Sequence, residues 1–229
     1  MTSRFVQPCR WGLLLAAMLT GRERAGAQVG PSEGLDHIIL YSGSLARGSA
    51  AFARLTGVTP IPGGQHPGRG TRNALVSLGE GRYLELLAPM VDTVPVEPLG
   101  LFGWAVHTTD LRALRQRLGA EGIPLSDPTP GSRRQPDGGL LTWATAALSG
   151  VDSPNAPFFI EWGKQVAHPS TTTPTGCTLT EFLITEPDST RLSTLVRMLG
   201  LAVVVRSGTA PAASVTLQCP RGTVRFISD

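Results

Sequence analysis

The sequence predicts an α+β protein built from three successive βαβββ units. Three observations lead there. A strand, helix, strand, strand, strand order recurs with a period of roughly 65 to 75 residues. Each helical stretch has a capping signal before it and a glycine after it, while its neighbours are short, β-branched apolar runs. Glycine (27) and proline (19) make up a fifth of the 229 residues, as many short strands and turns require. The composition, 41% hydrophobic and 16% charged, supplies real cores and excludes a disordered tail, a collagen-like repeat and a disulfide knot.

The first unit opens with Leu35 to Tyr41, an apolar run containing Asp36 and His37. Ser44 to Leu55 reads as a helix with Leu45, Ala51, Phe52 and Leu55 on its apolar side, stopped by Gly57. Strand Val58 to Ile61, a glycine-rich loop from Gly63 to Gly70, strand Asn73 to Leu78, the turn Gly79-Glu80-Gly81 and strand Tyr83 to Ala88 follow. In the second unit, Leu101 to His107 is a strand, Leu111, Leu114 and Leu118 mark a helix after Asp110, and Ile123 to Leu125 is a strand. A loop carrying Arg133 and Arg134 then leads to strands Leu140 to Ala146 and Phe158 to Trp162. The third unit offers Thr178 to Ile184, a helix from Ser189 to Leu199, and strands Ala202 to Val205, Ser214 to Gln218 and Val224 to Ile227.

Each unit exposes an apolar sheet face that it cannot cover alone, so two units are expected to pair into an open, curved barrel with helices outside. The organisation is residues 28–167 for paired units one and two and 177–229 for the third. The odd unit packs on the first two or on a partner chain, and a homodimer through it is one expectation.

Residues 1–27 read as a secretory signal peptide: Arg4 and Arg10, an apolar stretch from Trp11 to Leu19, and Ala25-Gly26-Ala27 before Gln28. Nine apolar residues are far short of the roughly 20 that span a bilayer, so export to the periplasm or medium is expected, without a permanent membrane anchor. Of 20 basic and 17 acidic residues, Arg4, Arg10, Arg22 and Arg24 and the single acid Glu23 fall in this segment. The remaining 16 basic and 16 acidic residues cancel, and no nucleic-acid partner is expected. Export leaves Cys177 and Cys219 where a disulfide persists if geometry allows. The strand assignment places them on non-neighbouring strands, which argues against a bridge.

The Leu35-Asp36-His37 opening, the Gly-Gly-x-His-x-Gly-x-Gly-Thr-x-Asn pattern of residues 63–73, Tyr83-Leu84-Glu85-Leu86, Gly103-Trp104, Pro136-Asp137-Gly138 and Pro157 to Ile160 resemble the glyoxalase-like domain family of the vicinal oxygen chelate superfamily. The resemblance covers about residues 34 to 228. It implies a metal in the cup between paired units, with ligands at His37, Glu85 and Glu161. The fourth ligand position falls at Gly103 or Trp104, which cannot ligate.

One imidazole and two carboxylates would form a hard, open site for zinc, iron, manganese or nickel, and no organic cofactor is expected. His37 and Glu85 are the catalytic candidates, since an imidazole also serves as a general base. Taken alone, His37 reads equally as a sheet histidine satisfied by a carbonyl, and each glutamate as solvent-facing or paired with arginine. His66, Thr71 and Asn73 belong to a loop that lines a substrate pocket or merely turns. Trp104 is a core aromatic or a stacking surface, and His107 a pocket-rim group or a solvated strand end. Arg134, with Arg133, reaches an anionic substrate or water. Two functions follow: a metal-dependent lyase, isomerase or dioxygenase that stabilises an oxyanion or enediolate of a small oxygenated molecule, or a metal-free protein that sequesters one.

Overall fold

A computed structural model describes residue 1 and residues 33–93, 98–135, 138–150, 153–164 and 166–228. The signal read from residues 1–27 lies, beyond Met1, outside the described residues, as does the Pro136-Asp137 pair. Among the described residues no helix is long and apolar enough to cross a membrane.

Strand β1 (Glu33–Tyr41) sends Ile38 and Leu40 into the core, while His37, Ile39 and Tyr41 face the opposite side, as period-two alternation requires. Helix α1 (Leu45–Thr56) starts where the Ser44 side chain accepts from the Arg47 amide. It ends at Gly57, whose φ of 81° is the left-handed conformation that glycine adopts without a Cβ penalty. The helix buries Gly48, Phe52 and Thr56, four residues apart, and leaves Leu55 exposed, so its inner stripe is rotated from the expected one.

The expected glycine-rich loop is mostly strand. β2 (Ile61–His66) pairs antiparallel with β3 (Thr71–Gly79), joined by a short turn at Pro67–Arg69, and β4 (Arg82–Pro89) follows. Backbone amides of this segment are therefore engaged in a ladder. Gly63 and Gly64 serve close packing: a β carbon at Gly63 would stand 2.5 Å from Asn73 Oδ1 and 2.8 Å from Arg133 Nη1.

The second unit runs β5 (Gly100–Thr108), α2 (Leu111–Ala120), β6 (Thr129–Arg134), β7 (Leu140–Ala147) and β8 (Phe158–Trp162). Ile123 to Leu125 makes only an isolated bridge, Leu125 to Leu148, and the expected arginine-bearing loop supplies β6. The eight strands form one sheet in the order β2-β3-β4-β1-β5-β8-β7-β6. The two units meet along the antiparallel pair of β1 and β5, and the end strands β2 and β6 approach until a β carbon at Gly64 would lie 2.8 Å from the Arg134 carbonyl oxygen. This is the mixed α+β, nearly closed βαβββ-type sheet that the repeat implies.

A short helix α3 (Pro169–Thr172) leads to the third unit: β9 (Thr178–Glu186), α4 (Thr190–Met198), β10 (Val204–Ser207), β11 (Ala212–Cys219) and β12 (Gly222–Ile227), in sheet order β10-β9-β11-β12. Its apolar face packs on the first two units, as one of the two expected arrangements requires. Phe226 stacks on Phe52 of α1 at 5.9 Å, Phe182 meets Trp104 of β5 at 5.1 Å, and the core is continuous. Cys177 and Cys219 form a disulfide. Contrary to the expected spacing, β9 and β11 are neighbours paired at Thr178 and Gln218, which brings the adjacent cysteines together.

Candidate active site

The inner face of the eight-stranded sheet encloses a cup of about 870 Å³. Alternation along β1 and β4 brings His37 and Glu85 to its floor, both buried. His37 Nε2 lies 3.7 Å from Glu85 Oε2, and Asn73 donates to Glu85 Oε1 at 2.5 Å. His66, Thr71 and Asn73 all line the cup, with His66 Nδ1 3.2 Å from the Thr71 hydroxyl.

Behind His37 stands Asp36. The β1–β5 register slips between Leu35 and His37, a bulge that places Asp36 beside the imidazole although it is adjacent in sequence. Asp36 Oδ1 is 2.6 Å from His37 Nδ1; Oδ2 accepts from Trp162 Nε1 at 2.9 Å and lies 3.2 Å from His168 Nε2. Burial alone would push the Asp36 carboxyl up, but the hydrogen bonds and charges of His168 and His37 hold it well below the usual carboxylate range. The tautomers follow. His168 Nδ1 accepts from the Ser170 amide at 3.3 Å, so its proton sits on Nε2 and points at Asp36. An ionised Asp36 likewise takes the Nδ1 proton of His37, and Nε2 faces Glu85.

Tyr83 stacks on His37 at 4.6 Å between ring centroids and Phe158 meets its edge at 5.4 Å, fixing the ring plane. Burial, with the charges of Asp36 and Glu85, pushes the Tyr83 hydroxyl up, so it stays neutral. Trp143 and Trp162 wall the far side.

Four expected site residues are elsewhere. Glu161 does not face the cup; Ile160 and Trp162 do, and Glu161 Oε2 accepts from the Leu111 amide at 2.8 Å, at the positive end of α2. Period-two alternation puts Phe158, Ile160 and Trp162 on the cup face of β8 and Glu161 on the other. Trp104 points away from the cup, donating to the Asn155 carbonyl at 2.8 Å. Arg134 is exposed, and Arg133 is the inward arginine of β6, only 6% exposed. His107 is half-buried at the far end of β5, against Gly34.

The resulting donor set is His37 and Glu85. Among the described residues no group of three or more His, Cys, Asp and Glu side chains is placed to hold a metal ion. Resident catalytic metals generally take three protein ligands, and two do not fit that requirement. The Asp36 backing would suit an imidazole that holds a cation or one that takes a proton; the number of donors favours the second role.

The sequence reading passed over His168, which lay in an expected linker, and treated Asp36 only as a neighbour of His37. No strand or helix period marks either residue, because both act through contacts between distant segments.

The glyoxalase-like domain family model matches residues 35–200. The chain belongs to this family. No curated protein matches this glyoxalase-like chain. Among solved structures it is similar to a hypothetical protein from Staphylococcus aureus, with a TM-score of 0.65 and 16% identity, covering 86% of this chain and 99% of that one. Methylmalonyl-CoA epimerase from Mycobacterium tuberculosis gives a TM-score of 0.43 at 20% identity, over 58% of this chain and 89% of that one.

The cup also sets a pH dependence. Burial pushes the His66 imidazole below its ordinary value of 6.5; Glu85 opposes this, and Arg133 and Arg69 reinforce it. With the folded value depressed, the unfolded chain binds the proton first, so the stability from neutral His66 is present above pH 6.5 and fades as pH falls through the folded value. Thermal melts of His66→Gln between about pH 7 and pH 5 should show a shallower decline than wild type. An equal decline would place the titrating group elsewhere.

Proposed function

We propose that this glyoxalase-like protein is an exported enzyme that moves a proton on a small oxygenated molecule held in the cup, stabilising the enediolate or oxyanion that forms. The observation that carries the reading is the alignment of Asp36, His37 and Glu85. The imidazole is oriented by a carboxylate at 2.6 Å behind it and presents Nε2 beside a second carboxylate at 3.7 Å. When Nε2 takes a proton from a C–H or O–H group, the imidazolium lies between two carboxylates and is stabilised by both. Asn73 keeps Glu85 in place, Trp162 and His168 do so for Asp36, and the aromatic walls limit water. The disulfide supports export, since such bonds persist in oxidising compartments.

The test is solvent deuterium exchange followed by proton NMR, using phenylpyruvate and hydroxyacetone, whose C–H bonds adjoin a carbonyl. Wild type is expected to accelerate exchange, and His37→Gln to lose about a hundredfold of that acceleration. Acceleration unchanged in His37→Gln would overturn His37 as the base, and none in wild type would favour the sequestering cup. Elemental analysis of the same samples checks the donor count. About one equivalent of zinc, iron, manganese or nickel, lost in His37→Ala, would reinstate the metal-dependent reading.

A further inference from the structure

The proton-transfer reading leaves one buried charged group of the cup unexplained. Arg133 projects from β6 into the cup wall and is only 6% exposed. Its guanidinium makes no hydrogen bond or ion pair among the described residues, and Nη1 is enclosed without a partner. A buried cation in this state is costly unless an anion joins it. Burial pushes the group down from its ordinary value while Tyr83 and Glu85 pull it back, and an arginine stays charged in any protein setting.

The surroundings are shaped around this side chain. A β carbon at Gly63 would come within 2.8 Å of Nη1, and one at Gly64 within 3.1 Å, so the paired glycines of β2 make the space that Arg133 occupies. Glu85, the acidic residue of the cup lining, is already engaged by Asn73 and faces His37 rather than closing on the guanidinium. Asn73 Oδ1 is also buried without a partner. Trp143, Trp162 and Phe158 give the wall aromatic surfaces.

We infer that Arg133 is an anion subsite of the cup, which takes the carboxylate of a small organic acid whose apolar body lies against Trp143 and Trp162. The planar guanidinium matches a carboxylate fork to fork, and one buried positive charge with Glu85 in the same cup suits a monoanion better than a dianionic phosphate. This deepens the proton-transfer proposal and rests on it for the word substrate, since the subsite would place such an acid in the cup that His37 serves.

Benzoate and its neutral isostere benzamide are the probes, titrated by calorimetry at constant ionic strength. Wild type is expected to bind benzoate at least ten times more tightly than benzamide, and phenyl phosphate more weakly than benzoate. Arg133→Met should bind both benzoate and benzamide with the affinity wild type shows for benzamide, while Arg69→Met, at the exposed lip, should keep the preference. Equal binding of benzoate and benzamide by wild type would overturn the subsite, as would a preference that survives Arg133→Met, and tighter binding of phenyl phosphate would overturn the carboxylate assignment. Should Arg133→Met fail to fold, the wild-type comparison and Arg133→Lys carry the test; the lysine keeps the charge, lacks the fork, and is expected to lose at least threefold of the preference, whereas an undiminished preference would count against the subsite. His37→Gln is expected to retain the preference. In wild type, no benzoate preference with accelerated exchange would therefore sink the subsite alone, and a preference without accelerated exchange would sink the reaction alone.

Discussion

Replacing Cys177 and Cys219 together by alanine is expected to lower the free energy of unfolding by about 4 kcal/mol. The two residues are 42 apart in sequence, and a cross-link closing a loop of that length removes a corresponding amount of chain entropy from the unfolded state. Both cysteines are buried in the continuous core, so alanine also gives up a small amount of packing. The bridge joins the residue before β9 to the end of β11, and therefore ties together the first and fourth elements of the third unit. The measurement is chemical unfolding of the double variant beside wild type, with and without reductant. The variant should unfold at a lower midpoint with little change in folded-state spectra, and reductant should bring wild type to the same midpoint. A wild-type midpoint indifferent to reductant would show that the bridge does not form in solution.

Trp104→Ala is expected to cost 3 to 5 kcal/mol of stability, roughly the range for deleting a large buried aromatic. Trp104 is 2% exposed, lies edge-on to Phe182 of the third unit at 5.1 Å, and donates its indole proton to the Asn155 carbonyl. Alanine opens a cavity between β5 and β9 and leaves that buried carbonyl without its donor, two penalties that add. Ligand binding in the cup should be preserved in whatever fraction remains folded, because Trp104 faces away from it. Urea unfolding gives the stability change, and benzoate titration of the folded variant gives the binding. Intact stability with weakened binding would return Trp104 to the stacking role that the sequence left open.

These two variants mark where linear reading reached its limit. The helix ends were legible because caps are local: Ser44 and Asp110 bond to amides three residues on, and Gly57 takes a left-handed φ. Tyr83, Glu85 and Leu87 share the cup face of β4, as alternation requires, and Leu111, Leu114 and Leu118 are buried along α2. His37, His66, Thr71 and Asn73 were found from their motifs and meet in the cup. Alternation states which residues share a face, however, and not which face is inside. Glu161 was therefore placed with the ligands although its strand turns that side to α2. The glycines of residues 63–70 left a binding loop and a plain connection both open, because glycine marks close approach without naming what approaches, which at Gly63 and Gly64 is Arg133.

The sequence by itself determined the βαβββ repeat, the helix boundaries, the family and the histidine and glutamate at the heart of the cup, because periodicity, caps and motifs act over a few residues. Tertiary structure decided the rest. It set the one-residue slip that backs His37 with Asp36, the reach of His168 across 132 residues to the same carboxylate, the choice of Arg133 over Arg134, and the cysteine pairing. Each depends on which segments become neighbours when the sheet curls and the third unit docks, and on the free energy of burying charge and apolar surface together, which no local pattern encodes.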